Sequence, residues 1–336
     1  MAVASLADRL RAQIHEHGPI PVSEFVAAAL YDQHEGFYVT GGRAGRRGDF
    51  LTAPEVGPLF GAVISRAVDS WWREAGGPGT FTVVEHGAGP GTLARTVTAA
   101  AGECLAAGAL RWVMVEVSAT QREAQPVGDH LTSVGDETEL GSGPVDVVLA
   151  NELLDNLPFD MVAARVESAG VAQVGLVDES FVLVGDGDLL PNAAAAVEWV
   201  RAQRANRPEA RLVVLDYMAS DDDLRSRGGE WLRAYRDHER VADWLAAPGQ
   251  TDITIDVPLD QLLPLAPSWV RTQAEFLAAH GIHELVEEGR AIWAENAAIG
   301  DLAALKARSR VREVEALLDP TGLGAFVVLE WEPARP

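Results

Sequence analysis

The sequence predicts an α/β fold with a mostly parallel central sheet, and two observations carry that reading. Beyond residue 80 the chain alternates short β-rich runs with helix-like stretches. FTVVE, RWVMVEV, VDVVLAN and RLVVLDY are nearly continuously apolar, as strands covered on both faces must be. Behind the first run, VVEHGAGPGTLARTV sets Gly87, Gly89 and Gly91 at every second position between a strand and a helix. Glycines in that place let a backbone turn tightly and approach a ligand closely.

From the N-terminus, Leu6, Leu10 and Ile14 recur every four residues and predict an amphipathic helix that stops near Gly18-Pro19. Ser23 is expected to cap a second helix, SEFVAAALY. A Gly/Arg loop, TGGRAGRRGDF, leads into LTAPEVGPLFGAVISRAVDSWW, where Leu59, Phe60, Val63, Ile64, Ala67 and Trp71 make one helical stripe suited to the core. Thr52 and Glu55 have the T-x-x-E spacing of a capping box, and together with Asp49 they lie where a segment could close over a ligand.

Between the third and fourth apolar runs, MVAARVESAGVAQVGLVDESFVLVGD alternates around turn residues and predicts an inserted antiparallel hairpin region. After Asp216 come an acidic loop, SDDDLRSRGGEW, a strand-like TDITIDV, helices over residues 271–318, and a last strand, AFVVLEW. The expected organisation is a helical cap over 1–78, a core over 79–218 with a hairpin insertion at 159–190, a cap insertion at 219–255, and a C-terminal part, 256–336, that completes the sheet.

Composition narrows the chemistry. A formal net charge of −23 over 336 residues opposes a phosphate backbone, so nucleic acid is not an expected partner, while a basic protein or a small molecule is. No apolar run reaches the roughly 20 residues of a membrane span, and MAVASLADRL lacks a basic leader. No membrane and a cytoplasmic location are therefore expected. The lone Cys104 cannot form an internal disulfide and reads as packing. Lys306, the only lysine, reads as an exposed helical position, which removes P-loop and Schiff-base chemistry. HExxH, GxSxG and paired Cys/His spacings are absent, so no metal is expected.

The glycine turn is G-x-G-x-G, and Thr92 stands where a dinucleotide fingerprint needs a third glycine or an alanine, which disfavours a pyrophosphate. Glu85 ends the first strand and Glu116 the second. One carboxylate beside the turn and one on the next strand suit a ligand with a cationic end and a ribose diol, as S-adenosyl-L-methionine has. Glu116 is expected to accept from the ribose hydroxyls, and Glu85 to order the turn or balance positive charge. A tight βα connection without a ligand is the alternative.

GDFLTAPEVGPLFG with ALYDQHEGFY before it, VEHGAGPGTL in the middle and NELLDNLPFDMV after the third run resemble the MidA-like family of class I methyltransferases. LDYM, LRAYRDH and PGQTDITIDV continue the resemblance in the same order, from about residue 18 to 330. It implies a Rossmann-like class I methyltransferase sheet, S-adenosyl-L-methionine as cofactor and, for the mitochondrial member, symmetric dimethylation of an arginine in a partner subunit. The glycines of the family's turn are present, although Pro90 replaces its arginine, and Leu153 and Leu154 replace its aromatic pair. The cofactor residues expected are Thr52, Glu55, Glu85, Gly87, Ala88, Gly89, Gly91, Thr92, Leu93, Glu116, Val117 and Asn151.

Methyl transfer from a sulfonium demands alignment and exclusion of water. A guanidinium acceptor is a poor nucleophile that carboxylates can hold by its fork. Glu152 and Asp155 follow the VDVVLAN strand at the carboxyl edge, where such sheets bind ligands, and are expected to orient the acceptor. The alternative is that Asn151 and Asp155 cap a turn and Glu152 is solvated. Asp216 and Tyr217 end the next strand, and His238 belongs to the insertion; these three complete the expected catalytic group. Transfer to a protein arginine is the leading reading. Small-molecule O- or N-methylation, a cofactor-binding assembly factor without catalysis, and a nicotinamide dehydrogenase are the alternatives.

Overall fold

The computed structural model describes residues 4–40, 52–141, 143–163, 170–185, 187–237, 239–296 and 302–334. Its sheet consists of β1 (Phe81–His86), β2 (Leu110–Val115), β3 (Leu131–Val134), β4 (Val147–Asn151), β5 (Arg211–Asp216), β6 (Trp269–Thr272) and β7 (Val327–Trp331). The order across the sheet is β6-β7-β5-β4-β1-β2-β3. The first five strands run parallel to one another, and β7 lies antiparallel to both β5 and β6. The expected α/β sheet is present, with its four apolar runs adjacent at the centre.

Side-chain alternation explains why those runs are apolar throughout. Val148 and Ala150 of β4, with Leu212 and Val214 of β5, join one buried cluster; Val147, Leu149, Val213 and Leu215 join the cluster on the opposite face. The first cluster also takes α1 (Leu6–His17) and α2 (Val22–Tyr31). The second takes α3 (Ala53–Val56), α4 (Pro58–Glu74) and α5 (Thr92–Ala100). The segment 1–78 is thus divided between the two faces, because the α4 stripe is apolar enough to cover the sheet directly.

Several local expectations are corrected. Ser23 lies inside α2, with Pro21 at the cap position, and its N–H donates to Asp160 Oδ1 at 3.0 Å. Thr52 precedes α3 but makes no side-chain cap, and Glu55, the other half of the expected box, accepts from Thr92 Oγ1 at 2.7 Å. TDITIDV does form the expected strand, Asp252–Ile255, which pairs within the insertion against Leu232–Arg236. The two short partly polar strands β3 and β6 were not expected. Residues 173–177 and 180–184 do pair as an antiparallel hairpin. Cys104 is buried, and burial pushes its thiol up to about 12, so it is inert packing. Asp49, His238 and the side chain of Lys306 lie outside the described residues.

α4 and α5 approach so closely at Gly61 that a Cβ there would overlap the Thr96 side chain. Gly61→Ala is expected to cost roughly 1–3 kcal/mol through overpacking. The check is the urea unfolding midpoint, which should fall; an unchanged midpoint would mean that the two helices can separate freely.

Candidate active site

At the carboxyl edge of the sheet the three glycines take left-handed backbone angles: φ is +65° at Gly87, +52° at Gly89 and +73° at Gly91. Gly91 opens α5, and a Cβ on it would run into Pro126 and Met114. At Gly89 a Cβ would meet nothing within 4 Å. The turn borders a cavity of about 540 Å³, within the usual size range of small-molecule sites. Glu116, just beyond β2, fixes the turn: its Oε2 accepts from Gly89 N at 2.9 Å and its Oε1 from Ser118 N at 2.8 Å. Gln125 Nε2 donates to Gly89 O at 2.8 Å. Both carboxylate oxygens keep lone-pair capacity, and Glu116 lines the cavity.

Of the expected cofactor residues, Thr52, Gly87, Gly89, Glu116 and Val117 line this cavity. Others are used elsewhere. Glu85 is buried, and its Oε2 accepts from Trp112 Nε1 at 2.7 Å. Burial raises its pKa to about 8, which makes it a structural acid locked between strands β1 and β2. Ala88 and Leu93 belong to the apolar core. Thr92 and Glu55 bond each other and tie α3 to α5. Asn151 donates from Nδ2 to Glu152 Oε1 at 3.0 Å, while its Oδ1 is buried without a partner.

The acidic residues beyond β4 and β5 form a connected group. Asp216 is fully buried, and its Oδ2 accepts from Leu153 N at 3.1 Å and Leu154 N at 2.7 Å. Its Oδ1 accepts from Tyr217 N at 2.8 Å, so this carboxylate anchors backbone and does not face the cavity, contrary to its expected catalytic place. Tyr217 is held against Phe326 and is likewise absent from the lining. The turn that Asp216 pins leaves Glu152 at φ +52°, a left-handed position that costs of order 1–3 kcal/mol outside glycine. Glu152 lines the cavity, and its Oε1 accepts from Ala53 N at 3.1 Å, while Oε2 is buried and unpartnered. Burial and then the neighbouring Asp155 raise its pKa to about 8. Asp155 lies behind the cavity wall, its Oδ2 accepting from Thr254 Oγ1 at 2.5 Å and its Oδ1 unpartnered. Burial raises it less far, to about 6, because Thr254 and Arg233 oppose the rise.

Sequence reasoning missed the rest of the lining. Gln121, before β3, and the 3-10 turn around Asp136, Glu137 and Thr138, which follows that unforeseen strand, close one side. His86 and Trp199 also line it, ring against ring at 5.3 Å. Burial lowers the His86 pKa to about 4, so the imidazole is neutral although Glu137 lies 3.2 Å away. Tyr31 and Tyr38 stack over the far wall at 5.7 Å, their hydroxyls donating to Asn156 O at 3.0 Å and Asp252 Oδ1 at 2.9 Å. A larger cavity, about 860 Å³, lies between the hairpin and the 219–255 insertion and touches none of the expected site residues that the structure describes. Among the described residues no cluster of His, Cys, Asp and Glu could hold a metal, and no helix is long and apolar enough to cross a membrane.

Glu85 provides a pH test. Its pKa is raised from 4.5 to about 8 on folding, so the folded state binds more protons in between, and stability falls as pH rises through that window. Glu85→Gln, which keeps the acceptor for Trp112 but cannot ionise, is expected to flatten part of that fall and to be relatively more stable at pH 8. Urea midpoints measured from pH 5 to 8 decide it; a slope identical to the parent's would show that Glu85 ionises freely in the fold.

Similarity to known proteins agrees with this geometry. The model of the S-adenosyl-L-methionine-dependent methyltransferase family Methyltransf_28 matches residues 63–192 and 184–273, more than half of the chain. A mitochondrial protein arginine methyltransferase NDUFAF7 homolog of Drosophila melanogaster is 40% identical over 121 residues, which are 36% of this chain and 28% of that protein. The mitochondrial protein arginine methyltransferase NDUFAF7 of Xenopus tropicalis is 28% identical over 331 residues, 83% of this chain and 76% of its own. A COG1565 superfamily member from Burkholderia thailandensis, solved with S-adenosyl-homocysteine, shares the fold with a TM-score of 0.79 at 24% identity, over 98% of this chain and 94% of that one. The expected cytoplasmic location does not stand, because the relatives are mitochondrial by name and a missing leader pattern carries no weight against that. The chain is an enzyme of the S-adenosyl-L-methionine-dependent methyltransferases and belongs to the MidA-like, Methyltransf_28 family.

Proposed function

We propose that this methyltransferase acts on an arginine side chain of a protein, and that the 540 Å³ cavity holds the cofactor and admits the acceptor beside Glu152. The observation that carries the reading is Glu152 itself: a strained carboxylate on the cavity wall with one buried oxygen that no described residue satisfies. Buried acids are stable when paired, and a cationic donor fork would supply the missing partner. The names of the relatives from Drosophila and Xenopus, which act on protein arginine, point the same way.

The residues at the turn fit the cofactor. Gly89 leaves open space where a side chain would stand, and Glu116 presents acceptors suited to a ribose diol. The bound cofactor supplies a methyl group on a positively charged sulfur. The arriving guanidinium draws Glu152 into its ionised form, in which it holds the fork with one nitrogen facing that methyl group and takes the proton which this nitrogen must lose as the new bond to carbon forms. Asp155, behind it, adds negative potential without touching the acceptor. Tyr31 and Tyr38, tied by their hydroxyls, wall off water on the far side.

Two variants separate binding from transfer. Gly89→Val places a branched side chain at a left-handed position and fills the open space, so calorimetry is expected to find no S-adenosyl-homocysteine binding by a folded variant. Unaltered affinity would take the glycine turn out of the site. Glu152→Gln should bind cofactor normally yet transfer methyl groups roughly ten- to hundredfold more slowly in a single turnover, the loss of one charge-assisted contact worth about 1.5–3 kcal/mol. Labelled transfer into a proteome depleted of the endogenous enzyme, followed by mass spectrometry, identifies the acceptor. Modified arginine that depends on Glu152 supports the proposal, and label found only in small molecules overturns it.

A further inference from the structure

The 219–255 insertion reaches under the acid group from outside the sheet. Its antiparallel strands Leu232–Arg236 and Asp252–Ile255 pair Arg233 directly with Thr254, so both side chains leave the same face of the ribbon. Thr254 Oγ1 donates to Asp155 Oδ2 at 2.5 Å. The guanidinium of Arg233 donates from Nη1 to Asp256 Oδ1 and lies over the ring of Tyr217, 4.9 Å from its centroid. Tyr217 is in turn fixed by Phe326 and by its N–H on Asp216. Asp256 is shared with Arg227. Arg233 is therefore held from two sides, and its Nη2 is buried without a partner, as is Asp155 Oδ1.

We propose that Arg233 is a positioning residue for methyl transfer: clamped by Asp256 and the face of Tyr217, it keeps Asp155 negatively charged behind Glu152 and so sets the charge that the acceptor meets. This rests on the arginine-acceptor reading for its catalytic consequence, although the charge arrangement itself is a property of the free protein. Five acids, Glu152, Asp155, Asp216, Asp252 and Asp256, gather here with Glu116 at the adjoining turn and the phenols of Tyr31, Tyr38, Tyr217 and Tyr235. Against them stand Arg233 and, on Asp256, the half-exposed Arg227. Without Arg233, Asp155 would have only hydrogen bonds, chiefly that of Thr254, to oppose burial, and would take up a proton more readily. The wall beside the acceptor would then lose a charge while keeping its shape.

Carbon-13 carboxyl NMR on aspartate-labelled enzyme reads this without any acceptor. In Arg233→Met, which keeps the length of the side chain, the Asp155 titration midpoint is expected to rise by roughly one to three pH units, the usual effect of losing a neighbouring opposite charge. Arg233→Lys should restore most of the difference. S-adenosyl-homocysteine affinity should stay within about threefold of the parent by calorimetry, because Arg233 does not line the cavity. Single-turnover transfer by Arg233→Met should slow while KM changes little, and its pH profile should shift upward. If Arg233→Met does not fold, Arg233→Gln keeps an amide donor for Asp256 without the charge and should move the midpoint in the same direction. An unmoved Asp155 midpoint in whichever variant folds overturns the proposal, and so does a loss of cofactor affinity parallel to the rate loss. If the midpoint moves but no arginine is ever methylated, the charge arrangement stands and the arginine-acceptor reading fails.

Discussion

The whole site hangs on one buried carboxylate, that of Asp216. At the end of β5 it has no solvent to serve it, and it receives three backbone N–H groups, from Leu153, Leu154 and Tyr217. Those bonds fix the turn after β4 and make the left-handed angle at Glu152 tolerable. Glu152 then reaches Ala53 N and joins the N-terminal segment to the sheet. A buried acceptor of this kind cannot lose its donors cheaply, so it holds in place the turn that carries Glu152.

Around that anchor, the cavity is assembled from distant parts of the chain. The turn after β1 and the carboxylate after β2 make one side, and Tyr31 and Tyr38 of the N-terminal segment make the other. Tyr38 bonds Asp252 of the insertion, and Asn156 donates to the same carboxylate oxygen at 3.3 Å and to Ile253 O at 3.2 Å. N-terminal helices, insertion and core are thereby linked across the site, as the exclusion of water from methyl transfer requires. The acids that surround it differ in protonation because their partners differ: Glu152 has only neutral donors, whereas Asp155 has Arg233 nearby.

The fold was legible where a single segment carries the whole signal. Continuous apolarity exposed β1, β2, β4 and β5 because both their faces are buried, and the glycines with Glu116 stood out because a strand end fixes their position. What stayed hidden depends on partners far away in sequence. Glu85 looks like a ligand residue until Trp112 is seen to take its oxygen, and Glu55 looks like half of a T-x-x-E box until Thr92 is seen to bond it. Asp216 reads as a catalytic acid by its place on β5, yet its oxygens are consumed by the adjacent turn. β3 is short and half polar, so the lining loop at Asp136–Thr138 that follows it gave no signal of its own. Arg233 is one of many arginines until the register beside Thr254 is known.

A crystal structure of the enzyme with S-adenosyl-homocysteine tests the central claim most directly. The ribose hydroxyls should lie about 2.5–3.2 Å from the Glu116 carboxylate, the ordinary range of such bonds, with the sulfur turned toward Glu152. The product bound in the larger cavity between hairpin and insertion, or in the smaller one with Glu116 out of reach of the ribose, would contradict it.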